Sequence, residues 1–600
     1  MAAQATRVRI SNYDKTPATR LGREHHSWRG AGLWQELAQA ALEISAAPVI
    51  AIDAYPGADI RSIVDAASSA LDGWNVIDSE EATAKPTAEI DTVLAPFLTD
   101  DRVFGVISHV GIDTFFDEAA SARLAAAIAT SGTPTVLVGW GASRVLKAEI
   151  LVLADMARWE LQLRQRAGAP NWRSSNVNDD PLTKYKRGFF VEWRVADEHK
   201  RSLFGRLDYC LDTNRGMADA VLIRADTLRA GLAATAATPF RVVPFFDPGV
   251  WGGQWMREVC DLSDDAVNYA WCFDCVPEEN SLYLDVDGAR FELPALDLVL
   301  THPRELLGER TFARFGAEFP IRFDFLDTME GGNLSLQVHP LTDYIQRVFG
   351  MTYTQDESYY LLDAEDDAVV YLGLKTGADP ERMIAALESA ATGERAFPAS
   401  DYVNTFPARK HDHFLIPAGT VHCSGANSMV LEISATPFIF TFKMWDWDRL
   451  GLDGKPRPIN IEHAKHNIQW SRDTEWTERN LVNRVEKIAE GDGWVEERTG
   501  LHELEFIEVR RIWFSGTACQ NTEGTVNVLN LVEGREAIVE SPTSAFEPFI
   551  VHYAETFIVP AAVGGYTIRP HGEAEGTRCG VVKAYVRGTQ TEGARMAPGN

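Results

Sequence analysis

The stretch NLSLQVHP, residues 333–340, alternates so cleanly that it reads as one strand with two unlike faces. Period-2 geometry sends Leu334, Leu336 and Val338 to one side and Ser335, Gln337 and His339 to the other. Pro340, with no N–H to give a ladder, ends the run. One face is made to pack, and the other carries an amide and an imidazole two residues apart, able to reach one point.

Working outward, the chain after FFDPGVWGGQWM (245–256) is a series of strand-length runs, SLYLDV, DAVVYLGLK, HFLIPAGTVH and SMVLEIS, separated by turn residues. One helical pattern, DPERMIAALESAA near 379–391, interrupts them. This predicts a sandwich or jelly roll with a helical insertion. From about residue 485 to 600 short strands return in TVNVLNLVEG, EAIVES, PFIVHYAETFIVPAAVGGYTIRP and VVKAYVR. There FIVPAAVGGY echoes FLIPAGTVHC, with Tyr566 close to the place of His422, so a β-unit is read twice, one copy with chemistry and one without.

Upstream the pattern changes. Between about residues 20 and 240, PVIAIDAY (48–55), RVFGVISH (102–109), TPTVLVGW (133–140) and ADAVLIRA (218–225) alternate with the helix-like DEAASARLAAAIAT and SRVLKAEILVLADMARWELQLRQR. Strand–helix alternation predicts a mainly parallel α/β sheet.

The 600 residues exceed what one core supports, and a hydrophobic share of 45% with 24% charged residues is that of a globular chain. A net charge of −29 opposes nucleic acid and anionic membranes as partners, and any anionic substrate would need a local basic patch. The N-terminal MAAQATRVRISNYDK has no apolar leader core, and no run of eighteen apolar residues occurs. Seven scattered cysteines suit reduced thiols, so the expected location is cytoplasmic. The CFDC at 272–275 has no second pair and reads as packing.

Two further residues complete a candidate site. Glu357 lies in TQDESYYLLD, and His422 follows the Pro-Gly turn of IPAGTVHCSG. With Gln337 and His339 they offer two imidazoles, a carboxylate and an amide oxygen, a donor set for a divalent ion of the zinc type. A single histidine on a strand is more often a hydrogen-bonded core residue. The combination shifts that balance.

Taken in order, LSLQVHP, DESYYLL, IPAGTVH, LEIS and MWDWDRLGLDGKPRPINIEHA resemble the class I mannose-6-phosphate isomerases, zinc enzymes of the cupin fold; the likeness runs from WGGQWM (251–256) to about residue 470 and continues more weakly beyond. The resemblance implies one zinc held by Gln337, His339, Glu357 and His422, and aldose–ketose interconversion of mannose 6-phosphate and fructose 6-phosphate through a cis-enediol. It implies catalytic roles for Glu432, Lys443 and Arg449, and substrate contacts from Ser335, Lys443 and Arg449, with Arg409 or Lys410 as further anion contacts. The chain departs from the family pattern at three helper positions: Asn333 and Gln355 stand where lysines are common, and Thr441-Phe442-Lys443 replaces T-Y-R. Those changes thin the grip on phosphate, since lysine lacks the bidentate fork of arginine.

In the first region VIAIDAYPGADIRS (49–62) stands where a phosphate loop would begin, but Asp59, Ile60 and Arg61 occupy the place of its glycine and lysine. With VEWRVADEHKRSLFGRLDYCLDTN (191–214) it resembles uridine-kinase-like folds in degenerate form. The expectation is therefore a multidomain α/β plus β chain: a P-loop-kinase-like α/β sheet (1–240), a zinc-binding cupin isomerase unit with a helical insert (241–480) and a metal-free cupin-like unit (481–600). Two alternatives are a second, kinase activity on a sugar or nucleoside and a cupin that binds sugar without turning it over. The partner expected is a small sugar phosphate, with no nucleic acid or membrane; oligomeric state is left open.

Overall fold

Apolar periodicity resolves into six sheets among the residues described by a computed structural model, 11–435, 440–500, 502 and 504–588. Residues 1–10, part of the N-terminal stretch read for a leader, lie outside them. No described helix is long and apolar enough to cross a membrane.

The first stretch contains β1 (Thr19–Arg20), β2 (Ser27–Arg29), β3 (Val49–Ala54), β4 (Asn75–Asp78), β5 (Thr135–Gly139), β6 (Ile150–Asp155), β7 (Tyr209–Asp212) and β8 (Val221–Arg224). Seven of them form one sheet in the order β2-β8-β7-β6-β3-β5-β4. Strands β4, β5, β3, β6 and β7 run parallel, while β8 and β2 pair antiparallel at one edge. Two sequence expectations need correction. ILVLAD, inside a segment read as helical, is the fully buried strand β6, because a continuous apolar run carries no period that separates strand from helix. RVFGVISH joins no ladder: Val106, Ile107 and Ser108 donate their amides to Phe97, Phe349 and Phe190 at 2.7, 2.8 and 2.9 Å, and Phe104 and Ile107 are buried as packing.

The next stretch comprises β9 (Phe245–Asp247), β10 (Trp271–Cys275), β11 (Ser281–Val286), β12 (Ala289–Pro294), β13 (Arg322–Asp327), β14 (Leu336–Val338) and β15 (Glu357–Ala364). It continues with β16 (Val369–Leu374), β17 (Val403–Pro407), β18 (His413–Ile416), β19 (His422–Ser424), β20 (Ser428–Ser434) and β21 (Phe442–Trp445). Two antiparallel sheets, ordered β18-β15-β20-β13-β10-β9 and β17-β16-β19-β14-β21, share one core through Tyr359, Leu361, Leu336, Val338 and Leu372. The expected helical insertion is the helix Pro380–Ala391, with Asp379 capping it through the Arg382 amide. It is not alone: Leu296–Thr301, Pro303–Leu307, Glu309–Phe315 and Thr342–Phe349 are also helical. The CFDC cysteines, Cys272 and Cys275, are buried on β10.

The last strands are β22 (Glu486–Gly491), β23 (Trp494–Gly500), β24 (Ile507–Phe514), β25 (Ala518–Asn521), β26 (Asn527–Glu533), β27 (Glu536–Glu540), β28 (Phe549–His552), β29 (Thr556–Val559), β30 (Gly565–Pro570) and β31 (Cys579–Val586). Their sheets are ordered β22-β23-β24-β31-β26-β29 and β25-β30-β27-β28. Read from the other end, the first of these matches β18-β15-β20-β13-β10-β9 strand for strand, and β28-β27-β30-β25 matches β17-β16-β19-β14. The echo between the two PA-containing turns is thus one of topology, with a second core around Leu529, Leu531, Val539 and Ile568.

Candidate functional site

The four residues picked out by motif come from three strands that meet in space. Register places Gln337 opposite His422 across β14 and β19, while Glu357 opens β15 in the facing sheet. Each imidazole is oriented by the backbone: His339 Nδ1 donates to the Phe440 carbonyl and His422 Nδ1 to that of Thr420, both at 2.8 Å. Committing the Nδ1 protons fixes the tautomer and turns the Nε2 lone pairs inward.

There they meet a carboxylate. His339 Nε2 lies 3.1 Å from Glu357 Oε2, and His422 Nε2 2.7 Å from Oε1. His339 Nε2 and Glu357 Oε1 are buried and make no hydrogen bond. Two imidazole lone pairs against two carboxylate oxygens would be acceptors facing acceptors, a costly arrangement that a divalent cation between them, or a second proton on the rings, relieves. These three side chains bring one ligand atom each to within 4.8 Å of one another. The Gln337 amide sits 3.2 Å from His422 Nε2, and turned about its last bond it presents a carbonyl oxygen there. The residues present therefore fit a divalent ion.

Around this cluster the charges are unusual. Burial would raise the Glu357 carboxyl, but the charges and hydrogen bonds of His339 and His422 in their protonated form outweigh it and hold it well below the usual range. Glu432, paired with Asp324 across β13 and β20, is pushed well up by burial and then by the charges of Asp324 and Glu357. Burial also lifts Asp324 to about 7, against the pull of Arg322. On β21, burial and then Arg457 bring the Lys443 ammonium down to about 7.

A cavity of about 320 Å³ opens beside the cluster, lined by Gln337, Glu432, Ser335, Lys443, Arg457 and Asp324 among others. Arg449 does not line it. Its guanidinium is held by Asp446 Oδ1 at 2.7 Å, and Asp446 also accepts from Ser335 Oγ at 2.7 Å and from Arg457. The arginine that faces the cavity is Arg457, which donates to Ser335 Oγ at 3.0 Å. Lys410 is engaged elsewhere, 2.6 Å from Glu533, and neither it nor Arg409 lines the cavity. Asn333 accepts from the Ala426 amide at 2.8 Å, while Gln355 donates to Glu357 Oε2 at 2.9 Å, steadying a candidate ligand where a lysine would add charge. Arg457 escaped the sequence reading although it sits in GKPRPIN. The aromatic and amide residues that close the far side, from residues 159–185, carry no motif at all.

In the second β-stretch, pairing puts Gln520 opposite Tyr566, as Gln337 is opposite His422, and Asn527 opens β26 as Glu357 opens β15. The buried Tyr566 hydroxyl donates to Asn527 Oδ1 at 3.1 Å. A phenol and an amide thus complete each other where the first copy has an imidazole and a carboxylate.

Parts of the chain match known proteins. The model of a domain of unknown function (DUF8485) matches residues 32–237. The mannose-6-phosphate isomerase ManA of Bacillus subtilis is 22% identical over 340 residues, 56% of this chain and 94% of that protein. A mannose-6-phosphate isomerase of Streptococcus mutans is 27% identical over 36% of this chain and 63% of its own length. The relatives matched are mannose-6-phosphate isomerases. Among solved structures, the Bacillus subtilis enzyme superposes with a TM-score of 0.47 at 18% identity, covering 58% of this chain and all of that one. A Salmonella typhimurium phosphomannose isomerase gives 0.44 at 12%, covering 58% of this chain and 99% of that one.

Proposed function

We propose that this chain is a zinc-dependent aldose–ketose isomerase that interconverts mannose 6-phosphate and fructose 6-phosphate through a cis-enediol. The observation that carries this reading is the opposition of His339 and His422 Nε2 to the two oxygens of Glu357, with both Nδ1 protons already committed. Gln337, His339, Glu357 and His422 would hold the ion. When bound, it supplies Lewis-acid polarisation of the sugar carbonyl and stabilises the negative charge that develops on enolisation.

The chain's own groups do the rest. With its ammonium brought to about 7, Lys443 has a neutral amine available near neutral pH to take the carbon-bound proton and return it to the neighbouring carbon. Glu432, whose carboxyl burial and the charges of Asp324 and Glu357 push well up toward the protonated form, is the acid suited to a developing alkoxide. Arg457 and Ser335 position the phosphate and supply the basic patch that a chain of net charge −29 requires. Arg449 acts through Asp446, whose carboxylate it shares with Arg457.

The chain divides, in this reading, into an α/β unit to about residue 240, a metal-binding cupin unit to about 480 and a metal-free cupin copy. The α/β unit keeps a kinase-like arrangement without phosphoryl transfer. After β3 the amides of Ala58 and Ile60 bond to the carbonyls of Tyr55 and Ala58, and the Leu161 side chain sits where a Cβ on Gly57 would fall, 2.2 Å away. Two of the loop amides are already spent and the glycine is packed against Leu161, which counts against a phosphate cradle.

The test is metal content and turnover together. Wild-type protein should carry one zinc per chain and convert mannose 6-phosphate. His339→Ala or His422→Ala should lose both; either variant keeping full metal and activity refutes the assignment. Tight sugar binding without conversion in zinc-replete wild type would favour a non-catalytic sugar-binding cupin.

A further inference from the structure

Part of the wall of the candidate sugar cavity is supplied by the region matched to a domain of unknown function. The helices Arg158–Arg166 and Pro181–Arg187 bring Trp159, Gln162, Gln165, Arg166 and Tyr185 to the same cavity as Gln337 and Lys443. We propose that this is the function of the N-terminal α/β region in the present chain: it builds the surface that receives the hydroxyl-bearing body of the sugar, and Gln165 hydrogen-bonds a substrate hydroxyl. The proposal rests on the isomerase reading for the identity of the sugar, but its test does not need turnover.

The wall is fixed from both sides. Within the region, the buried Lys184 ammonium donates to the carbonyls of Gln165, Ala169 and Val177 at 3.1, 3.0 and 2.8 Å, tying down the end of the helix that carries Gln165. Across the boundary, Arg166 forms a two-pronged pair with Asp247 at 2.8 and 2.9 Å. Gln162 donates to Glu279 Oε2 at 3.2 Å, and the Tyr185 hydroxyl donates to Glu279 Oε1. These contacts consume the cation, one amide and the phenol. Gln165 is different: its residue is only 4% exposed, it lines the cavity, and its side-chain amide has no hydrogen-bond partner among the described residues. An amide that faces the cavity with no protein partner is free to meet a ligand hydroxyl, because an amide both donates and accepts.

The chemistry of the wall selects the part of the substrate it meets. Trp159 stacks on Phe245 with ring centroids 4.1 Å apart, and Phe245 on Phe273 at 4.7 Å, giving a flat apolar platform. Of the cations near this wall, Arg166 is taken by Asp247 and lies over the Trp159 ring at 4.9 Å, and Arg322 faces Glu279 and Asp324. The cations here are matched by Asp247, Glu279 and Asp324, so this wall offers a phosphate little net positive charge. An uncharged hydroxylated ring finds an amide and an aromatic face, while its anionic end goes to Lys443 and Arg457, which line the same cavity.

The experiment uses the full-length, zinc-reconstituted chain and reads mannose 6-phosphate binding by titration calorimetry, with KM, kcat, zinc content and melting temperature alongside. Gln165→Met keeps the length of the side chain and removes its hydrogen-bonding atoms. Loss of one neutral hydrogen bond predicts a rise in Kd and KM of roughly three- to tenfold, with kcat, zinc content and melting temperature within about the error of wild type. A Kd within twofold of wild type overturns the proposal, as does a fall in melting temperature with no change in Kd. Should Gln165→Met fail to fold, Trp159→Leu is judged by the same readings. Wild type that binds the sugar phosphate without converting it overturns the isomerase reading and leaves the wall to be decided on Kd; wild type that does neither overturns both.

Discussion

A histidine can be kept for its lone pairs or for its shape, and this chain has both kinds within ten residues. His422 has its Nδ1 proton assigned and its Nε2 aimed at a carboxylate. His413 is fully buried with neither ring nitrogen in a side-chain hydrogen bond, and burial followed by the nearby Arg511 charge pushes its pKa down to about 3. The sign is clear: an unfolded histidine near 6.5 binds a proton that the folded one refuses, so stability is full above about pH 6.5 and declines as the pH falls toward 3. At pH 4.5 the loss from this one residue is about 3 kcal/mol. His413→Leu should flatten that part of the curve in denaturant titrations at pH 7 and 4.5, and an undiminished slope would exclude His413 as its source. The sequence alone could not separate the two histidines by type. What singled out His422 was its company, the Pro-Gly turn phrase that it follows.

At the scale of elements, what was legible is what local pattern determines. Strand β14 was readable because alternation and Pro340 lie within eight residues, and the doubled sandwich because FLIP and FIVP lead into turns of the same kind. Strand β6 was not, because ILVLAD is apolar throughout; nor was the loop 102–109, whose amides are satisfied by Phe97, Phe190 and Phe349, partners that no local rule supplies. The segment after β21 shows the same limit within the site. Motif likeness pointed to Arg449, whereas folding turns Arg457 into the cavity and leaves Arg449 bracing Asp446. A charge-assisted contact to phosphate is stronger than support given through a neighbour. Arg457→Ala is therefore expected to raise KM for mannose 6-phosphate by roughly ten- to hundredfold, and Arg449→Ala by less. Steady-state kinetics on the two variants decide it, and a larger KM effect from Arg449→Ala would return that residue to the substrate.

Over the whole molecule, the regions are joined by buried charge as well as by apolar packing, and this is where a linear reading has least to say. Lys200, on the helix Trp193–Leu203 of the first region, places its ammonium 3.0 Å from Asp155 and 2.7 Å from Asp297, the latter beyond the first region in the chain. All three side chains are nearly inaccessible, and burial together with the Asp155 charge pushes the Asp297 carboxyl well up despite the lysine. Removing the cation strands two facing carboxylates in a medium that cannot solvate them, a cost of about 3–5 kcal/mol. The wall that carries Gln165 belongs to the same region as Lys200, so a junction that opens here should also loosen the sugar cavity. Lys200→Met is expected to lower the midpoint of the first unfolding transition in guanidinium and to raise KM. Adding Asp155→Asn and Asp297→Asn leaves no unpaired charge at the junction and should restore most of the stability, because neutral groups of the same shape carry far less desolvation cost. If Lys200→Met unfolds at the wild-type midpoint, the junction is held by its apolar contacts alone; if the triple variant is no better than the single one, the loss comes from the missing lysine stem and not from the charges it separates.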